Sequence, residues 1–445
     1  MSRKLTFWSV FALVTGSQIG SGIFMLPASL APFGALSLAG WLISGIGAVM
    51  LALVFAALCT RFPRTGGPHA YVQEAFGPSC GFFTGWTYWV ISWVSTTAVI
   101  TASVGYLTPL LGDIPSYIKL ILEVALLVAI TAINFKGVQT AGRVEFFLTA
   151  LKTIPLLLVP FIALFFFNKE NFASMSIVDS ASQDLSSILK NVTMLTLWGF
   201  IGLESGTTPA GSVENPTKTI PRAVVLGTLF VAVLYFFNSL GIMGALPANE
   251  LITSTAPYAD AARFMFAGNW HLMISLIAAI VCIGTLNAWI LASGQIALGL
   301  AQDKLMPEIF SKKNRHGAPF WALLVSSIGI LPLLFLTQNE TLAKQINVII
   351  DFSVICFLFV YAFCCLAHLK LLWTQKDKTT LLPWLYTFAA LIFCGWIISA
   401  TPLKTLFIAS LFVLSGIPVF LFQKRKINFL SEKPLPEKIL ANTLA

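Results

Sequence analysis

Apolar residues run along this chain in long blocks, and polar residues collect in the short segments between them. A membrane-crossing helix needs about 20 mostly apolar residues. About twelve stretches qualify: 6–31, 35–60, 80–111, 118–135, 145–167, 188–210, 223–246, 271–301, 318–336, 346–370, 382–400 and 404–422. The divisions are least distinct between Ala28 and Gly40 and between Ile398 and Leu406. The pattern predicts an all-α integral membrane protein with about 12 transmembrane helices. A single transmembrane domain covers 1–425, and the polar, Pro-containing segment 426–445 reads as a loose cytoplasmic tail.

Two stretches break this regularity near their middles. The first carries Thr15-Gly16-Ser17-Gln18-Ile19-Gly20-Ser21-Gly22-Ile23-Phe24, and the sixth carries Trp198-Gly199-Phe200-Ile201-Gly202-Leu203-Glu204-Ser205-Gly206. Glycine weakens a helix, and freed backbone groups are tolerated at bilayer depth only where they line a cavity. The competing reading is close helix packing through small residues. Interruptions in the first and sixth spans predict two five-helix repeats, about 5–168 and 188–372, with two extra helices at about 382–423. The site would lie between the breaks. N–H groups of a half-helix would hold a carboxylate and unwound carbonyls an ammonium, which together describe an α-amino acid.

Composition agrees with this picture: 57% of residues are hydrophobic and 10% charged, against about 25% charged in soluble chains. The net charge of +9 would suggest nucleic acid if it lay on one face. It lies in the connecting segments instead. With both termini cytoplasmic, about 20 of the 27 Lys and Arg residues fall inside and 6 outside, with Lys152 within a span. Arg3 and Lys4 before an apolar run resemble a signal peptide, but no small-residue cleavage site follows, so the run reads as a retained first span. The seven cysteines and four histidines show no spacing for a metal or disulfide framework, and no cofactor is expected. The expected partners are a small amino acid or amine and the lipid bilayer, with no nucleic acid.

At the two breaks the chain resembles the amino acid–polyamine–organocation (APC) superfamily. Gly20-Ser21-Gly22-Ile23-Phe24-Met25-Leu26-Pro27 is similar to that family's G-S-G-I-F pattern. The resemblance extends through Gly66-Gly67-Pro68-His69-Ala70-Tyr71, Leu197 to Ser205, and Glu214-Asn215-Pro216 to Ile220-Pro221, and covers about 5–425. Within the superfamily the chain looks most like the basic amino acid/polyamine antiporters, the arginine/agmatine exchangers among them. The resemblance implies a LeuT-like 5+5 inverted repeat plus two C-terminal helices, alternating access, no enzymatic activity, a location in the plasma membrane (the inner membrane if Gram-negative), and allows a homodimer. It also implies residue roles. Ile19, Gly20, Ser21 and Gly22 match first-span positions that hold substrate. Trp198, Ile201, Trp289 and Ser353 match further substrate contacts. Tyr88, Glu204 and Tyr361 match an occluding layer.

Two positions depart from the arginine/agmatine exchangers. Thr96 stands where those have an asparagine at the substrate tip, which shifts the expected substrate toward a shorter or less polar one. Lys152 stands where they are apolar. A lysine there resembles proton-coupled and light-chain-type transporters, in which the ammonium replaces a sodium ion and can carry a proton. Otherwise it snorkels to the cytoplasmic edge. The leading expectation is therefore a sodium-independent amino acid exchanger of the cationic amino acid/polyamine type. A proton-coupled symporter of broader or neutral amino acids is the alternative. A polytopic membrane enzyme is a remote third reading, since such enzymes gather His, Asp or metal-ligand clusters at one membrane face and none is visible.

Overall fold

The structure, a computed structural model, describes residues 4–112, 114–173, 185–254, 257–266, 268–337, 342–374, 380–399 and 401–432; the side chains at 21, 109, 173, 337, 342–351 and 425–432 are left aside. The principal helices in chain order are α1 (Phe7–Gln18), α2 (Ser21–Leu30), α3 (Leu36–Arg61), α4 (Pro68–Phe76), α5 (Pro78–Gly105), α6 (Ser116–Phe135), α7 (Val138–Ala163), α8 (Leu185–Trp198), α9 (Pro216–Ala245), α10 (Trp270–Gln302), α11 (Phe320–Thr337), α12 (Leu342–Thr374), α13 (Leu381–Ile398), α14 (Leu403–Leu414) and α15 (Ile417–Glu432). β-structure among the described residues is limited to two isolated bridges, Leu5 with Val213 and Lys313 with Pro319.

Nine helical segments among the described residues are long and apolar enough to cross a membrane. They coincide with nine of the predicted stretches. The other three predicted spans fall on α5, α8 and α11. In α5 the face bearing Ser92, Ser95, Thr96 and Thr97 turns inward and lowers its apolar character. The apolar part of α11, Phe320–Leu336, is short. In the sixth stretch the helix stops at Trp198, half as far along as a continuous span would run. α15 continues to Glu432, past the start of the tail read from the sequence; 433–445 lie outside the described residues.

Burial sorts the helices into centre and rim. The segment Phe7–Phe33 is 88% buried in its most apolar window, and Leu403–Lys424 only 11%. Apolar residues facing lipid gain nothing by moving inward, so the outer helices can be apolar all round while the centre carries the polar and small residues. α1 packs against α7, α9 and α10, which places the first break at the middle of the molecule.

Candidate functional site

Helix α1 ends at Gln18, where Ile19 takes an extended conformation, and α2 restarts at 21 behind Gly20. Such a break leaves carbonyls without intrahelical partners in the buried centre of the molecule. Side chains from three other helices satisfy them. Lys152 of α7 donates from Nζ to Gly16 O at 2.7 Å and Ile19 O at 3.0 Å. Thr285 of α10 donates from Oγ1 to the same two oxygens, at 3.1 and 2.5 Å. Tyr235 of α9 donates to Gln18 O at 2.7 Å.

The second break is longer. From 199 to 213 the chain advances by tight turns, with bonds such as Phe200 N to Leu197 O and Ser205 N to Gly202 O at 2.8 and 2.9 Å. Gly202 sits at φ +104°, a conformation that L side chains rarely adopt. A Cβ there would meet Ser17 Oγ at 2.8 Å and Trp289 at 3.2 Å. The two breaks are stitched directly: Ser17 Oγ donates to Gly202 O at 2.9 Å and lies 2.7 Å from Ser205 Oγ. Outside the breaks, Leu5 pairs with Ser212 and Glu214 through its backbone, tying the chain's first described residues to the end of the second break.

A narrow cavity lies between them. From the first break it is lined by Ser17, Gln18, Gly20 and Gly22, and from the second by Trp198, Gly199 and Ile201. Ser95 and Val99 of α5 and Thr285 and Trp289 of α10 close it. A Cβ on Gly22 would meet Trp198 at 2.9 Å, so this indole lies against the start of α2. The centre of a water molecule can move over only about 20 Å³ here, so the cavity is constricted in this conformation.

The residues expected to bind substrate therefore fall into groups. Gly20, Gly22, Trp198, Ile201 and Trp289 line the cavity. Ile19 is fully buried, and its carbonyl is occupied by Lys152 and Thr285. The backbone at 21 opens α2, and its side chain lies outside the described set. Ser353 stands one layer back, accepting from Ser95 Oγ at 3.2 Å. Thr96 is buried and turns its hydroxyl onto Ser92 O at 2.6 Å, while Ser95, one residue earlier, reaches the cavity.

Beside the cavity, Tyr361 of α12 donates to Glu204 Oε2 at 2.5 Å. Tyr88 faces the same carboxylate closely enough to interact, but outside hydrogen-bond geometry. The Glu204 Oε1 and Tyr88 hydroxyl oxygens are both buried without a hydrogen-bond partner among the described residues. Phe357 joins the layer, 5.4 Å from the Trp289 ring and 6.2 Å from that of Tyr361. Tyr88, Glu204 and Tyr361 thus come together in space.

Lys152 is fully buried and held on the first break, so it does not snorkel. Its other neighbour, Glu145, was not anticipated from the sequence: Oε1 lies 3.6 Å from Nζ. Glu145 is fully buried too, accepting from Thr149 at 3.0 Å and from Asn287 at 2.9 Å. A spacing of seven residues on one helix, Glu145 to Lys152, was the signal available; it puts both on one face. Ser17, Gln18 and Thr285 were missed as well, since isolated Ser, Gln and Thr in apolar runs are indistinguishable from helix-bonded ones by sequence. Among the described residues no cluster of His, Cys, Asp or Glu could hold a metal.

A cadaverine/lysine antiporter of Escherichia coli (strain K12) is 32% identical over 341 residues, covering 75% of each chain. A putrescine transporter, PotE, of Haemophilus influenzae (strain ATCC 51907 / DSM 11121 / KW20 / Rd) is 31% identical over 389 residues, 85% of this chain and 88% of its own. Both are transporters and not enzymes, which agrees with the resemblance read from the two breaks. The profile of the family described as amino acid permease matches residues 5–428, nearly the whole of the membrane-spanning part with both breaks and the cavity between them, and this multi-pass membrane protein belongs to that family.

Proposed function

We propose that this protein is a sodium-independent amino acid exchanger working by alternating access, with a cationic or polyamine-like substrate on at least one side. The observation that carries the reading is the placement of Lys152 Nζ on Gly16 O and Ile19 O. A fixed ammonium occupies the carbonyl oxygens that a coupling sodium ion would need, so the driving gradient is another solute. The antiporter and the polyamine transporter among its relatives support a cationic substrate. Trp198 and Trp289 line the cavity, and an indole face attracts an ammonium or guanidinium by about 0.5–2 kcal/mol.

In this reading the start of α2 holds the substrate carboxylate, and Tyr88, Glu204 and Tyr361 close one side. The present cavity belongs to a closed state, and substrate enters when the two breaks separate. The reading includes 12 spans in the plasma membrane arranged as a 5+5 inverted repeat plus two helices, with both termini cytoplasmic. Liposomes loaded with unlabelled arginine and lysine, against empty ones, test it. Uptake of labelled substrate only into loaded vesicles is expected. Uptake into empty vesicles driven by an inward proton gradient would replace exchange with proton symport. That second reading has its own support in the buried Lys152–Glu145 pair, a place where a proton can be stored.

A further inference from the structure

The breaks offer fewer free acceptors than their sequence suggests. Gly16 O and Ile19 O are each taken by both Lys152 and Thr285, and Gln18 O by Tyr235. The hydroxyls lining the cavity are engaged as well: Ser17 with Gly202 and Ser205, and Ser95 with Ser353. One acceptor stands apart. Gln18 lines the cavity and is 4% exposed, and its Nε2 is tied back to Val14 O at 3.0 Å. That bond fixes which end of the amide is which and turns the nitrogen toward its own helix. Oε1 is left buried without a hydrogen-bond partner among the described residues. An unsatisfied carbonyl at this depth is costly, so a donor belongs there, a water when the cavity is empty of substrate and a substrate N–H when it is filled.

We infer that the side-chain carbonyl of Gln18 receives the primary ammonium of the substrate. This rests on the cavity being the substrate site, as proposed above. The ammonium has three N–H donors, and the carboxylate end belongs at the start of α2, three residues further along the chain. The acceptor is neutral. It therefore selects for a donor group without fixing a negative charge in the pocket, which suits a carrier that must release amines of different net charge. Two sources share this chemistry, the α-ammonium of an amino acid and the end of a diamine, and lysine and cadaverine distinguish them.

The test is exchange of labelled lysine and cadaverine by the full-length protein in liposomes, comparing wild type, Q18M and Q18E. Q18M keeps the length and loses the acceptor; its KM should rise about 10- to 100-fold with kcat near wild type, the loss expected of a hydrogen bond to a charged group. Q18E keeps an acceptor at the same reach but adds a charge and loses the bond to Val14 O, so its KM should lie below that of Q18M while its kcat falls because the amine is held more tightly. A loss confined to lysine assigns the α-ammonium to Gln18, and an equal loss for both assigns a terminal ammonium. An unchanged KM in Q18M, or equal losses in Q18M and Q18E, overturns the assignment and leaves the exchanger reading standing. Absence of amino acid and diamine transport by the wild type overturns the exchanger reading and the assignment with it. A measurement on wild type alone covers poor folding of the variants. Lysine trimethylated at both nitrogens has no N–H to donate and should not compete; competition equal to that of lysine refutes the inference.

Discussion

Replacing Lys152 with Met would expose how much of the first break depends on one buried cation. Nζ makes bonds of 2.7 and 3.0 Å to Gly16 O and Ile19 O and lies 3.6 Å from Glu145 Oε1. After the substitution the two carbonyls still have Thr285 Oγ1, at 3.1 and 2.5 Å, so the break keeps part of its support. Glu145 keeps Thr149 and Asn287 but loses its only cationic neighbour among the described residues. Removing one partner of a buried pair costs about 3–5 kcal/mol, because the remaining charge is uncompensated. Replacing both with neutral groups of similar shape costs much less. The double variant K152M/E145Q should therefore be more stable than K152M alone, with a coupling energy of about 1–3 kcal/mol in the double-mutant cycle. Reversible unfolding in mixed micelles, monitored for wild type, both single variants and the double, gives the four values. If the double variant loses the sum of the two single losses, the pair does not act as a unit and the reading of Lys152 as held by Glu145 is wrong. Transport should fall in both K152M and the double variant, since neither restores a cation on the first break.

Glu204→Gln should leave the protein folded and flatten the pH dependence of exchange, because the carboxylate sits between the Tyr361 and Tyr88 hydroxyls. A pH–rate profile superimposable on wild type would mean that Glu204 does not change its protonation during the exchange cycle. Trp289→Leu should weaken lysine or arginine more than alanine, by the ~0.5–2 kcal/mol of a cation–π contact; equal losses in competition assays mean the ring only packs. Gly202→Ala should cost at least about 1–2 kcal/mol from its left-handed backbone alone, plus displacement of Ser17 and Trp289. Gly395→Ala, with nothing within 4 Å of the added carbon, is the matched control; similar thermal stability of the two variants would refute the close approach of the breaks.

The breaks themselves were legible because their signal is local. Gly16, Gly20 and Gly22 in one run, and Gly199 and Gly202 in the other, oppose a helix through propensity alone, and the apolar flanks state the depth. The aromatic and acidic layer was legible only through family resemblance, since Tyr88, Glu204 and Tyr361 are far apart in sequence. Lys152 could be placed seven residues into a span, a depth that suits a buried cation and also a snorkelling one. Glu145 left only its seven-residue spacing from Lys152, and Gln18 only its place in the break, because a polar residue in an apolar run says nothing about which neighbour it meets.

What the sequence by itself determined is the solvent of each segment: runs of about 20 apolar residues can be buried only in lipid or in one another, and interrupted runs must face a cavity. Tertiary structure alone decided who satisfies the interruptions. Hydrogen bonds act over about 3 Å, so the pairing of Gly16 and Ile19 with Lys152 and Thr285, across separations of 133 to 269 residues, depends on how α1, α7 and α10 pack. The same packing leaves Gln18 Oε1 buried at the cavity without a hydrogen-bond partner among the described residues.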